Sequence, residues 1–404
     1  MSDAPKTPPS SQNRPQVPLW LLALVTFSGT VAMYIFVPAL TEATSALGAS
    51  QGVLQLTISL YVLGLALGQP IYGPLADRFG RRPVLMAGLS LYTLAGLAAL
   101  VAPNAETLVV ARLFQALGGC AGVVLGRAIV RDTSGAKDAA QRLALLNLMV
   151  TVGPGLAPLV GSAAVATAGW RSVLAILCLL GVANLFFTWR MLPETGQPAA
   201  TPAATLVRDY FRLASSPVFL GYAVCGGCVT TAGYAFFSAA PFIFHELGRP
   251  AHEAGIALSV LVVGISIGNW LASRLMRRGS LDRVLARASL VGAAASLTLL
   301  AVVLTGHLNV VSAMLPMFVF TLCVGIAGPA ALTQAISLNP RVTGSASGLY
   351  GFIQMAIGAL CSALVGLGSN PALAAAIVLT GAGIAGQAAF RTALYGKGRI
   401  VAAE

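Results

Sequence analysis

"IYGPLADRFGRRPVL", residues 71–85, gathers Asp77, Arg78, Arg81 and Arg82 into six consecutive positions, bracketed by Gly73 and Gly80. Apolar sequence runs for about twenty residues on either side, the length a helix needs to cross a hydrocarbon core of about 30 Å. A charged turn between two such stretches is the punctuation of a polytopic membrane protein. The whole chain agrees: of 404 residues, 57% are hydrophobic and only 9% charged, with a mean hydropathy of +0.84. Soluble domains are about a quarter charged, so the solvent for most of this chain is lipid.

Counting apolar stretches outward from the knot gives twelve expected spans, at roughly 18–40, 52–75, 83–102, 107–130, 141–168, 171–191, 217–243, 252–274, 283–306, 308–336, 343–367 and 370–392. The runs are too long for barrel strands, which alternate over about ten residues, so the expected class is all-α. The net charge of +12 could suggest nucleic acid, but its distribution argues against that. With twelve spans, 20 of the 24 Lys and Arg residues fall on one side, from Lys6 and Arg14 to Arg391, Lys397 and Arg399. That positive-inside bias places both termini in the cytoplasm. Residues 1–17 are rich in Pro and Ser without an apolar core and read as a disordered tail, not a cleaved signal.

Residues 192–216, "LPETGQPAATPAATLVRDYFRLASS", break the apolar pattern and divide the spans into halves, 18–191 and 217–392, with a tail at 393–404. The halves echo each other: "ASRLMRRGSLDRVL" (272–285) stands after the eighth span as the knot stands after the second. It keeps Arg277, Arg278, Asp282 and Arg283 but lacks the leading glycine and acid. Two related six-helix halves with a site between them near the midplane is a common plan for alternating-access transporters. Gly64/Gly68, Gly118/Gly122/Gly126, Gly264/Gly268 and Gly344/Gly348 have the four-residue spacing of closely packed helices. In "VGPGLAPLVG" (152–161), Pro154 and Pro158 lie among Gly153, Gly155 and Gly161, a composition expected to bend or flex its helix. The six cysteines all lie in expected spans, and Cys225-Gly-Gly-Cys228 has no second pair to complete a metal site. "HELGRPAHE" (245–253) reads as a solvated outer loop, so no metal and no cofactor is expected.

"GPLADRFGRRP" resembles the cytoplasmic-loop signature of the major facilitator superfamily, with Gly73, Asp77, Arg78, Gly80, Arg81 and Arg82 at every motif position. "ARLFQALGG" (111–119) is similar to that superfamily's fourth-helix motif, with Arg112 and Gln115 present and Ala116 where glycine is usual. "GPGLAPLVG" resembles the fifth-helix motif of its antiporters. "LQLTISLYVLGLALGQ" (54–69), "GRAIVRD" (126–132) and "RMLPET" (190–195) are similar to twelve-span drug:proton antiporters of the bicyclomycin/chloramphenicol type. The resemblance implies that Asp77 latches the two halves on the cytoplasmic side, with Arg131 and Asp132 as partners in the same network. A bare topological role for the arginines is the alternative.

Arg112 is a charge inside the bilayer, which costs about 2.5–3.5 kcal/mol on insertion scales. Either carbonyls and Gln115 satisfy it structurally, or it serves substrate binding or proton coupling, as the family match suggests. Related exporters carry an acid in the first helix, in the pattern Asp-Met-Tyr-Leu-Pro; here "YIFVP" puts Tyr34 in its place, and no acid falls mid-span. Glu42 is the nearest substitute proton carrier, with an exposed loop end the alternative. Tyr34, Gln55, Asn147, Tyr234, Asn269, Gln334 and Gln354 are candidates to line the cavity, each equally able to serve as helix–helix glue. An arginine without an acid favours neutral or anionic cargo. The expected function is proton-driven export of small drug-like compounds across a bacterial inner membrane by a monomer. A metabolite exporter is the nearest alternative, and a non-transporting sensor or scaffold a remote one. No catalytic constellation and no phosphate loop points to an enzyme.

Overall fold

The computed structural model describes residues 17–134, 136–196, 203–278, 280–338 and 343–401. Its described elements are helices, several of them started or stopped by residues whose chemistry accounts for the boundary. Helices α1 (Leu19–Phe36) and α2 (Leu40–Leu47) are joined through a short 3-10 turn at Val37–Ala39, where Pro38 interrupts the hydrogen-bond ladder. In α3 (Gln51–Phe79), the Ser50 hydroxyl caps the first turn by accepting from Val53 N. Gly80, at φ +97, turns the chain into α4 (Arg81–Leu100). Asn104 caps α5 (Ala105–Thr133) in the same way. Then follow α6 (Ala136–Ala168), which runs unbroken through Pro154 and Pro158, and α7 (Trp170–Met191).

A short amphipathic helix, α8 (Ala203–Ala214), lies within 192–216, the stretch expected from sequence to be the cytoplasmic linker. The seventh span is two helices, α9 (Pro217–Thr230) and α10 (Tyr234–Glu246), separated by Thr231, Ala232 and Gly233. The chain continues as α11 (Ala251–Arg278), α12 (Leu281–Leu304), α13 (Val310–Ser337), α14 (Thr343–Val365) and α15 (Pro371–Val401). A reciprocal Asn309–Ser312 capping box opens α13. The helix α15 runs eight residues past 393, where the sequence suggested a tail.

Eleven spans among the described residues are long and apolar enough to cross a membrane, counting α1–α2 and α9–α10 as one each. The remaining expected span, 141–168, falls inside the 33-residue α6. Helices α1–α7 pack on one another, as do α9–α15; the two groups meet where α3 packs on α14 and α6 on α11, with α10 also touching α2 and α3.

Small residues let the backbones close up, which is how helices associate where no hydrophobic drive separates protein from lipid. A Cβ on Gly122 would stand 2.3 Å from Val25 O, and one on Gly268 2.2 Å from Leu322 O, so α1/α5 and α11/α13 meet backbone to backbone. Gly344 departs from that expectation: a Cβ there meets nothing within 4 Å, because it borders a cavity rather than a helix.

Candidate functional site

The knot that opened the reading is a compact set of ion pairs and caps at the basic end of the bundle. Arg81 Nη1 lies 2.7 Å from Asp77 Oδ1, one turn back on α3, and its Nε donates to Asp132 Oδ2 at 3.0 Å on α5. The Arg81 side chain is only 16% exposed, so this fork is held rather than waving in water. Arg82 Nη2 donates to Trp189 O at 2.8 Å, and Arg78 lies over the Phe79 ring at 5.2 Å.

Glu194, which follows α7, completes the turn. Its carboxylate accepts from the backbone N–H of Arg81 (2.8 Å) and Arg82 (3.2 Å), the orphan donors at the start of α4, and from Thr195 and Gly196. A Cβ on Gly80 would sit 2.6 Å from Glu194 Oε2, so that position requires glycine both for its φ and for the cap. Sequence reasoning quoted Glu194 in "RMLPET" but gave it no role. The available signal was an acid just past a span's end.

Beside the knot, between the two groups of helices, opens a cavity of about 510 Å³. Gly73, Asp77, Arg81, Arg127 and Arg131 line it from one side; Asp209, Tyr210, Gly344 and Gly348 line it from the other. Neither Arg127 nor Arg131 forms an ion pair among the described residues. Asp77 and Arg81 of the knot thus share one vestibule with the candidates Gly73 and Arg131, while Arg78, Gly80, Arg82 and Asp132 lie outside its wall. Tyr210 on α8 donates to Pro70 O at 3.3 Å, docking the linker helix at its edge, and burial there raises the phenol's pKa.

Deeper, at the break between α9 and α10, is a chamber of about 250 Å³. Tyr34, Tyr234, Asn269 and Gln354 line it together with Thr230, Thr231, Phe237 and Phe320. Gln354 Nε2 donates to Thr230 Oγ1 at 2.7 Å, and Thr231 Oγ1 donates to Gln354 O at 2.6 Å, so α14 is stitched to the broken helix where its backbone is interrupted. Tyr34 meets Phe237 edge to face at 5.4 Å and Tyr234 at 6.4 Å. Among the described residues, no charged side chain lines this chamber. The two threonines and the helix break were not singled out in the sequence; the hint was a Thr-Thr-Ala-Gly run inside an apolar span.

The other candidates lie elsewhere. Arg112 is fully buried within the first group of helices: Nη1 donates to Gln115 Oε1 and Nη2 to Ala32 O, both at 2.6 Å, with the Tyr61 ring 4.2 Å and the Phe36 ring 5.0 Å from its Cζ. It borders neither the vestibule nor the chamber. Gln55 sits in the α3/α14 seam near Gly366. Gln334 donates to Asp282, which also accepts from Tyr222 (2.7 Å) and Lys397 (2.9 Å), tying α9, α12, α13 and α15 together. Glu42 accepts from Trp170 N at 3.3 Å, at the end away from the knot. Gly153 packs on Phe27 and Gly161 on Ile35 O, both joining α6 to α1. Asn147 falls on α6, its side chain outside the described residues. Among the described residues no three His, Cys, Asp or Glu side chains converge as metal ligands would.

Comparison with known proteins agrees with this architecture. The family profile of the Major Facilitator Superfamily matches residues 22–362. The multidrug resistance protein D of Escherichia coli (strain K12) is 29% identical over 91% of this chain and 91% of its own. A chloramphenicol resistance protein of Pseudomonas aeruginosa is 30% identical over 64% of this chain and 61% of its own. The crystal structure of the nucleoside transporter NupG superposes with a TM-score of 0.73 at 14% identity, covering 93% of this chain and 98% of that one, a likeness of fold alone. A vestibule and chamber between two helical groups, a complete loop signature and a profile match over most of its length place this chain in the Major Facilitator Superfamily.

Proposed function

We propose that the protein exports small neutral or anionic drug-like compounds, coupled to protons, by alternating access of two six-helix halves in the bacterial inner membrane. In this reading α6 also spans, which brings the count to twelve, and the basic end faces the cytoplasm, as the positive-inside bias requires. The observation that carries it is the chamber at the α9/α10 break, with no charge on its wall among the described residues, alongside a separate vestibule that has three arginines and two carboxylates on its wall. Broken helices at a cavity between repeats are where such transporters bind cargo. A cation entering the chamber would leave its hydration shell and find no counter-charge, whereas a neutral compound finds aromatic edges, hydroxyls and amides. The relatives named for multidrug and chloramphenicol resistance support drug-like cargo.

The same hydroxyl and amide lining suits a polar metabolite, which is the second reading. A panel of neutral, anionic and cationic antibiotics in an efflux-deficient bacterial host separates them. Lowered accumulation of neutral or anionic members, abolished by a protonophore and by Asp77→Asn, is the expected result. No change for any compound, at normal membrane expression, would favour the metabolite reading. Efflux untouched by the protonophore would remove proton coupling, and strong export of methyl viologen would sink the charge argument.

A further inference from the structure

The turn that repeats the knot in the second half is built differently. In the first turn Arg81 is paired with Asp77 and Asp132 and Arg82 donates to Trp189 O, while Arg78 lies over the Phe79 ring. In the second, Arg274, Arg277, Arg283 and Arg287 form no ion pair among the described residues. The neighbouring acid, Asp282, is turned inward onto Lys397, Tyr222 and Gln334. Among the described residues, this corner of the protein therefore presents cations that no carboxylate pairs with.

Arg283 and Arg287 are one helical turn apart on α12 and stand at the rim of a groove of about 400 Å³. Apolar side chains make up most of the rest of its wall, among them Leu275, Val284, Val291 and Ile326. Arg283 Nε donates to Ser280 Oγ at 3.1 Å, which fixes the stem of its guanidinium and leaves the terminal nitrogens free among the described residues. The groove opens on the outer surface of the bundle, where Leu290 and Val291 are 63% and 48% exposed in the absence of lipid. On α11, shortly before Leu275, Trp270 is 54% exposed with Arg274 stacked 3.9 Å above its ring, a pair of the kind found at membrane–water boundaries.

We propose that this groove binds one anionic phospholipid, its phosphate between Arg283 and Arg287 and an acyl chain along Leu275, Val284, Val291 and Ile326. Two forked donors suit a phosphate, and the apolar wall beyond them suits a hydrocarbon chain and no soluble anion. Each arginine near a bilayer surface adds attraction for anionic lipid, and a greasy cleft adds a fixed place for it. The repeat has diverged accordingly: one copy of the turn holds its arginines for a gate, the other offers them to the membrane. The proposal is independent of which cargo is carried.

Native mass spectrometry of the full-length protein in detergent tests it, with phosphatidylglycerol, phosphatidylcholine and glycerol 3-phosphate as separate arms. One phosphatidylglycerol should be retained in preference to phosphatidylcholine, and glycerol 3-phosphate should not displace it. R283Q/R287Q should weaken that binding by about thirtyfold, from two lost arginine contacts. Val291→Trp, which fills the groove and keeps both arginines, should weaken it too, so the test does not hang on one variant's folding. Arg190→Gln, elsewhere on the basic end, should leave it unchanged. Equal retention of the two lipids, unchanged binding in monodisperse R283Q/R287Q or Val291→Trp, an equal loss in Arg190→Gln, or displacement by glycerol 3-phosphate would each overturn it.

Discussion

In the proposed reading, single residues decide what the chamber accepts and how the basic turn is held. Tyr34, which the family resemblance sets where an acid is expected, lines the chamber. Tyr34→Asp would place a carboxylate there. At about 5 Å and an effective dielectric of about 20, its attraction for a cationic cargo is roughly 3 kcal/mol before the cost of burial, leaving about 1–2 kcal/mol. The variant should gain export of methyl viologen by about tenfold over wild type, read as lowered accumulation in cells. Glu194 is the matching case at the turn. Glu194→Gln keeps the shape but removes the charge from the α4 N-terminus, so the melting temperature in detergent should fall by a few degrees with the substrate range unchanged.

Sequence reading succeeded at this scale where a motif carries its own geometry. Asp77 and Arg81 pair as their four-residue spacing suggests. It could not separate chamber-lining polar residues from structural ones. Gln354 and Gln334 look alike in sequence. Helix rotation aims the first at the chamber, and a neighbouring carboxylate claims the second.

At the scale of elements, bilayer thickness makes spans legible, because every crossing needs its apolar length. Breaks inside a span are not legible in the same way. Thr231, Ala232 and Gly233 interrupt the seventh span, yet at a mean hydropathy of 1.3 it still has the length and apolarity of one crossing, so the sequence reads as continuous while α9 and α10 are separate. Helix α8 hides for the opposite reason, being amphipathic and flanked by proline, threonine and serine.

The carboxylate of Asp282 is the strongest test of how elements are held together, since it takes donors from three other helices. Its side chain is 25% exposed, so the charge component is partly screened and Asp282→Asn should cost about 1 kcal/mol. A lower melting temperature with unchanged charge preference in efflux is the expected pair of readings. An altered preference would mean that this network reaches the chamber.

Over the whole molecule, the two halves are shut at one end and parted at the other. Away from the knot, α3 and α14 meet so closely that a Cβ on Gly52 would lie 2.3 Å from Gly366 O, and Ser59 Oγ donates to Ser362 Oγ at 2.9 Å. Both serines are buried, at 1% and 0% exposure, so the seam excludes solvent. Toward the knot the same halves diverge around the vestibule, where Gly73 and Gly344, from opposite halves, each have open space beside them. If transport alternates access, the serine seam must open and the glycine-lined gap must close. Ser59→Cys/Ser362→Cys tests the first movement. Oxidation should cross-link the halves and bring efflux near the background of an empty host, and reductant should restore it. Undiminished efflux from a fully cross-linked population would mean that cargo leaves by a route that never parts α3 from α14. Gly73→Leu tests the second movement from the other end, by filling the gap with a side chain that present packing tolerates. The folded protein should accumulate normally in the membrane yet lose most of its efflux, because the basic end could no longer close.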